Sequence, residues 1–241
     1  MTENINIQEK PSFWDKVKKY LKLTGKYIWK FLKWFKNEFI TYPLYILAHP
    51  IKGFDEFKRD KKGKTSVAVF FMLFAVLLNI MSYQFTGFVI SQESVTKLKV
   101  FAEFAYIFGP VLLLTVSNWS ITTLFDGKGK MREIFTMLGY CLFPFVWANF
   151  IGLFVSNIVS QQEQAMYTLI IALGVFLMCY MGFFGCVSIN EYGVLKCVLT
   201  LLFTVVAALV ICFIGILFFD LIQKMGGFIY TIYREIALRY L

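Results

Sequence analysis

The chain has 241 residues, 59% of them hydrophobic, and a mean hydropathy of +0.66, well above an ordinary soluble domain. Its formal net charge is +9, and fourteen of its 24 Lys and Arg lie in residues 1–63 against seven Asp and Glu. This balance excludes a separate soluble enzyme domain. The basic segment abuts apolar spans and is interleaved with Trp, Phe and Tyr, so it points to anionic lipid and not to nucleic acid.

Residues 1–10 are polar and read as a disordered tail. Residues 11–63 form a basic, aromatic-rich amphipathic segment on the cytoplasmic side. At about 100° per residue, Trp14, Val17, Leu21, Ile28, Phe31, Leu32, Phe35 and Phe39 share one side of a helix, and Lys22, Lys26, Lys30 and Lys33 share the other. Only Trp29 is out of place. An aromatic face opposite a lysine face is the pattern of a helix lying in the membrane interface. Trp14, Phe31 and Phe35 would enter the bilayer, and Lys22, Lys26, Lys30 and Lys33 would meet anionic headgroups.

Pro43 and Pro50 are expected to break helices. After them, Phe54 and Phe57 alternate with charged residues, which predicts a short amphipathic helix. The letters GKTS at 63–66 resemble the end of a phosphate-binding loop. That motif needs a glycine five residues before Gly63, where this chain has Lys58. It should also follow a core strand, whereas here it leads into an apolar run. No early apolar segment precedes Thr65, so no cleavable signal peptide is expected, and the first span should act as an uncleaved anchor.

Residues 64–223 carry apolar runs of roughly 20 residues or more, enough to cross a bilayer core. They predict five spans, near 65–90, 100–125, 134–159, 166–189 and 194–222. Short turns such as DGKGK (126–130) and NEYG (190–193) favour sequential antiparallel neighbours. Residues 224–241 read as an amphipathic C-terminal tail. Lys128, Lys130 and Arg132 put the 126–132 turn inside with the basic N-terminus, and the uncharged-to-acidic SQQEQ turn (160–164) outside. Five spans then place the C-terminus outside, in a multi-pass protein of the cell membrane.

Few features carry chemistry. Cys141, Cys179, Cys186, Cys197 and Cys212 lie in apolar spans without a CxxC pair, and His49 is the single histidine. No disulfide framework, metal site, cofactor site or catalytic residue is expected. Asn118, Asn149, Glu103 and Asp220 are the candidates for a polar site between spans, because intramembrane polar groups mark transport paths. Gly174, Gly182, Gly185 and Cys186 share one side of the fourth span. Ala208, Cys212 and Gly215 share one side of the fifth. Such small-residue faces admit close helix contact, within the bundle or with a second molecule.

Residues 138–144, LGYCLFP, raise the question of a reactive cysteine. Pro144 removes the hydrogen bond to the carbonyl of Tyr140, and Gly139 admits a neighbour, so the stretch reads as a bend and packing node. Leu138, Gly139, Tyr140, Cys141, Leu142, Phe143 and Pro144, in the third of five spans, resemble the Yip1 domain family. The stretches HPIKGFDEFK and TTLFDGKGKMREIF resemble its bacterial branch. The resemblance covers roughly residues 41–223, with Gly139, Tyr140 and Pro144 as its motif. It implies a five-span helical membrane domain. Eukaryotic members act in vesicle traffic and bind small GTPases through an acidic, Pro-rich N-terminal region with a DLYGP-like motif. This chain lacks that region, so GTPase binding does not carry over. Some bacterial relatives are encoded beside carbohydrate ABC importers, which implies an accessory subunit.

The sequence thus predicts an all-α, polytopic integral membrane protein, a five-helix transmembrane bundle with an N-terminal amphipathic interfacial helix. Its expected work is non-enzymatic, as a scaffold or accessory subunit of another membrane complex. Its expected partners are the lipid bilayer with anionic lipids, and another integral membrane protein or a second copy. The alternatives are a small-solute transporter or channel, and a membrane-shaping or trafficking factor.

Overall fold

The computed structural model describes residues 29–30, 33–34, 36–87, 90 and 99–240. Among them there are helices and turns but no strand. The chain divides into two units between Leu44 and Tyr45.

In the first unit the described residues from Trp29 to Lys36 are helical, and a π-helical turn follows at Asn37–Thr41. Lys30 and Lys33 are exposed, and Lys33 Nζ sits 5.5 Å from the centre of the Trp29 ring. Trp14, Lys22, Lys26, Phe31 and Phe35 lie outside the described residues, as do residues 1–10. Pro43 does not break the helix as expected. It is the second residue of α1 (Tyr42–Ala48), directly after the π-helical turn. The Tyr42 N–H before it still bonds the Asn37 carbonyl, so the helical backbone runs on through the π-helical turn into α1. Pro50 does break the chain: His49 leaves helical geometry and Pro50 opens α2 (Pro50–Arg59).

The second unit contains α2 and five long helices. These are α3 (Thr65–Phe85), α4 (Val100–Leu124), α5 (Met131–Val155), α6 (Gln164–Asn190) and α7 (Val194–Tyr240). Each is long and apolar enough to cross a membrane, so the chain is a multi-pass membrane protein. The helix α5 is the centre of the bundle and packs on α3, α4 and α6. Half of its most apolar window is buried, against 6% for α7. α7 packs chiefly on α4, and its buried residues are Cys197, Thr200, Thr204 and Ala208, with Thr204 bonded to Asn118 of α4 and Cys197 Sγ 3.9 Å from the Phe183 carbonyl of α6. The four recur every three or four residues, so they form one narrow stripe.

Aromatic rings fill the α3–α5 interface. Phe71 meets Tyr140 edge-on at 6.1 Å and Phe143 at 5.6 Å, and Phe74 lies 6.5 Å from Phe150. Phe143, Trp147, Phe150 and Phe154 continue the series along α5. Such pairs contribute about 0.5–1.5 kcal/mol each beyond their buried area.

α5 begins at Met131 and ends at Val155, short of the expected Val159, because side chains beyond it bind α3. Asn157 Nδ2 donates to the Phe85 carbonyl at 2.8 Å, and the Gly87 N–H donates to Ser156 Oγ at 3.2 Å. α7 departs further from expectation. The expected tail, 224–241, is not a separate element; one helix runs unbroken through Gly226 and Gly227 to Tyr240. Two glycines cost about 1 kcal/mol each in a helix interior, too little to end a helix already this long. The Thr231 hydroxyl also donates back to the Gly227 carbonyl at 2.9 Å.

Candidate functional site: the basic end of the bundle

The start of α3, the end of α4, the start of α5, the end of α6 and the start of α7 meet at one end of the bundle, where α2 also packs. The apolar face of α2 anchors it. Phe54 is fully buried and Phe57 nearly so, and the Phe57 ring stands edge-on to Tyr140 at 5.2 Å. Ser188 Oγ on α6 donates to the Ile51 carbonyl at 3.2 Å. The opposite face of α2 carries Glu56, whose carboxylate accepts from Lys62 at 2.7 Å and from the Tyr45 hydroxyl at 3.0 Å. These bonds hold the Glu56 carboxyl below its usual range.

Glu191 ties three segments together. Lys128 donates to one of its oxygens at 2.7 Å, and Lys58 of α2 donates to the other at 3.0 Å. Lys58 also donates to the Ile189 carbonyl at 2.8 Å. The bonds from Lys128 and then Lys58 bring the Glu191 carboxyl down to about 2. Glu191 caps α6 with a left-handed backbone (φ 56°), and the Tyr192 N–H donates to the Val187 carbonyl at 3.1 Å. Glycine usually occupies such a cap. Lys61 (φ 52°) and Asp126 (φ 55°) are left-handed too, and all three lie in turns at this end.

The DGKGK and NEYG turns interlock. The Tyr192 hydroxyl lies 3.2 Å from the carbonyls of both Thr122 and Phe125 at the end of α4. A methyl at Gly127 would come within 2.5 Å of that hydroxyl, and one at Gly129 within 2.5 Å of Asn190 Oδ1. Glycine is required here by the closeness of the two turns, not by a positive φ.

A second network joins α3 to α5. Thr136 Oγ1 donates to the Arg132 carbonyl at 2.7 Å, so in its 3.3 Å contact with Thr65 Oγ1 it accepts. Thr65 Oγ1 in turn accepts from Arg132 Nε at 3.1 Å. The result is a closed ring, Arg132 to Thr65 to Thr136 and back to Arg132. Beside it lies a cavity of about 550 Å³.

The motif residues Gly139, Tyr140 and Pro144 lie just below this end. A methyl at Gly139 would sit 2.4 Å from Ala68 Cβ and 2.8 Å from its Cα, so the α3 and α5 backbones touch there. Tyr140 is fully buried. Its hydroxyl accepts from the Lys64 N–H just before α3, at a long 3.4 Å. α5 remains helical through Pro144. Cys141 is buried, and its sulfur lies 3.6 Å from Met137 Sδ.

The candidate polar residues do not converge. Asn118 is buried and donates to Thr204 Oγ1 of α7 at 3.2 Å. Asn149 donates to the Phe145 carbonyl of its own helix at 2.8 Å. Glu103 accepts from the Tyr83 hydroxyl at 2.9 Å, and Asp220 pairs with Lys224 one turn on at 2.7 Å, on exposed helix. A groove of about 560 Å³ between α4, α5, α6 and α7 does include Asn118, but its walls are apolar, among them Val111, Cys141, Phe145 and Gly182. Asn118 Oδ1 has no partner among the described residues. The small-residue faces divide. Gly174 and Gly185 press on α5, whereas a methyl at Gly182 or Gly215 would meet nothing within 4 Å. Among the described residues no group of three His, Cys, Asp or Glu is placed to hold a metal ion.

Sequence reasoning missed Glu191, Lys58 and the Arg132–Thr65–Thr136 ring. The available signal was the clustering of charge in the turns that border spans. A protein-family model, the Yip1 domain, matches residues 44–232. No curated protein and no solved structure matches the chain.

Proposed function

This chain belongs to the Yip1 domain family of membrane proteins, and from that premise we propose that it is a non-enzymatic scaffold or accessory subunit. It would hold a helix of another integral membrane protein, with its basic end in the cytoplasm under the positive-inside rule. The observation that carries this reading is α7. Its 47 residues correspond to about 70 Å at 1.5 Å per residue, against a hydrocarbon core of about 30 Å. Beyond Ala208 its large apolar side chains are exposed, Phe213, Phe218, Phe219, Phe228 and Ile229 among them. Ala208 is the last buried residue of its narrow stripe, and Gly215 further along opens onto empty space. Lipid can cover part of such a helix, but a helix more than twice the core's thickness has apolar surface left over.

The aromatic filling of α5 and the separate local partners of Asn149, Glu103 and Asp220 favour this reading over a polar transport path. The apolar walls of the Asn118 groove point the same way. The carbohydrate importer suggested by resemblance has no observation behind it and is not part of the proposal. Photo-crosslinkers placed at Phe218 and Phe219, in native membranes, test it, with exposed Leu169 on α6 as the comparison. Adducts with another membrane protein from α7 positions, absent from Leu169, are expected. Adducts only with a second copy would make the scaffold a homo-oligomer. No protein adduct from α7, together with solute flux in liposomes, would refute it.

A further inference from the structure

We infer that the cavity beside the Arg132–Thr65–Thr136 ring is a binding site for a phosphate group, carried on a lipid headgroup or free in solution. Five cationic side chains line it, Lys58, Lys61, Lys64, Lys130 and Arg132, against one carboxylate, Glu133. That carboxylate is already engaged, since Glu133 Oε2 accepts the Lys130 N–H at 3.1 Å as a helix cap. Lys58 is committed to Glu191 and the Ile189 carbonyl. The ion pairs at this end use Lys58, Arg59, Lys62 and Lys128. The cavity therefore gathers three cations, Lys61, Lys130 and Arg132, that stand outside the ion pairs among the described residues.

The remaining lining suits phosphate. Arg132 spends its Nε on Thr65, which fixes the guanidinium plane and leaves the two terminal amino groups to form the paired bonds that phosphate accepts. Ser66, in the first turn of α3, adds a hydroxyl. α3 and α5 both begin at the cavity, after Lys64 and Lys130, and the first N–H groups of each helix have no intrahelical acceptor. Two positive helix ends thus add to the side-chain charge.

Depth fits as well. Val67, Ala68 and Ile134, within one turn of the two helix starts, are already buried and apolar. α3 and α5 are each long and apolar enough to cross a membrane, so a cavity at their starts lies at the ends of two spans, the level at which basic pockets collect anionic headgroups. The GKTS letters fall at this point. Without the earlier glycine they cannot wrap a nucleotide's phosphates, yet they still set a lysine and the Ser66 hydroxyl at a helix start. This site is independent of the scaffold reading, which rests on α7.

The test uses the full-length protein in neutral detergent, with phosphatidic acid, phosphatidylcholine and inorganic pyrophosphate as probes, read by native mass spectrometry. The wild type should bind phosphatidic acid in preference to phosphatidylcholine. Arg132→Gln with Lys61→Gln should weaken that binding roughly tenfold or more, since two charge-assisted bonds are lost. Lys224→Gln, far along α7, should leave it unchanged. Thermal unfolding of the variants reports whether they fold, and Lys61→Gln alone, on an exposed turn, covers the case in which Arg132→Gln does not. Displacement of the lipid by pyrophosphate identifies the site as one for free phosphate; persistence of the lipid identifies a headgroup site. Equal phosphatidic acid binding by the wild type and the folded variants would overturn the inference. So would a wild type that neither prefers phosphatidic acid over phosphatidylcholine nor binds pyrophosphate.

Discussion

Gly139 lies against Ala68 with no room for a side chain, since a methyl there would meet Ala68 Cβ at 2.4 Å and Cα at 2.8 Å. The second distance matters more, because a backbone atom cannot step aside by changing rotamer. Gly139→Ala should gain about 1 kcal/mol of helix propensity and lose more by forcing α3 and α5 apart. A net destabilisation of about 1–2 kcal/mol is expected, within the range for overpacking. Thermal unfolding in detergent measures it. Adding Ala68→Gly should return only part of the loss, because the backbone of residue 68 still stands in the way.

The Tyr140 ring meets Phe57 and Phe71, and its hydroxyl accepts from the Lys64 N–H at 3.4 Å. Tyr140→Phe keeps the ring contacts and should cost about 1 kcal/mol, the net contribution of a typical hydrogen bond. Tyr140→Ala should cost about 3–5 kcal/mol, as for an aromatic cavity in a packed core. Denaturant titrations of the two variants give the ratio, and equal losses would contradict this ranking.

Glu191 makes stability depend on acid. Its carboxyl falls from an ordinary 4.5 to about 2 on folding. A group whose folded value is lowered stabilises fully above its unfolded value and loses that stabilisation as pH falls through the folded one. The melting-temperature gap between wild type and Glu191→Gln should therefore be constant above pH 5 and shrink between about 4.5 and 2. The carboxylate is partly exposed, so added salt should narrow the gap at neutral pH.

Much of the fold could be read from the sequence because its causes are local. Apolar runs set the five spans, and the alternation around Phe54 and Phe57 set α2. The site depends on meetings between distant residues. Lys58 and Glu191 are 133 positions apart, and Thr65 and Arg132 are 67 apart. Periodicity places such residues at the ends of helices but does not say which ends touch. Gly139 was legible as a packing residue, yet its partner Ala68 was not. The length of α7 was missed because the apolar run ends at Ile222, before Gln223 and Lys224, and the end of an apolar run marks the limit of a span without ending the helix.

Asn118 separates the transport reading from the structural one. Its Nδ2 bonds Thr204 while Oδ1 stays orphaned in an apolar groove. Asn118→Leu removes donor and orphan together and should change stability by no more than about 1 kcal/mol, since Thr204 keeps its own bond to the Thr200 carbonyl and no donor is left stranded. Thr204→Val keeps the orphan and strands Nδ2, and should cost about 0.6–1.7 kcal/mol, the range for bonds between membrane helices. Unfolding in detergent measures both. A stabilised Thr204→Val would show that the bond has no structural role.

The left-handed backbones of Lys61, Asp126 and Glu191 make that end of the molecule a place where selection for heat tolerance and selection for use pull apart. An L-residue in this region costs about 1–2 kcal/mol, a cost that glycine avoids. A library screened only for survival on heating should therefore enrich glycine at 61 and 126. Position 191 should resist, because there the side chain returns the cost through Lys58 and Lys128. Where natural relatives keep a charged residue that such a screen discards, the charge is being retained for something other than folding.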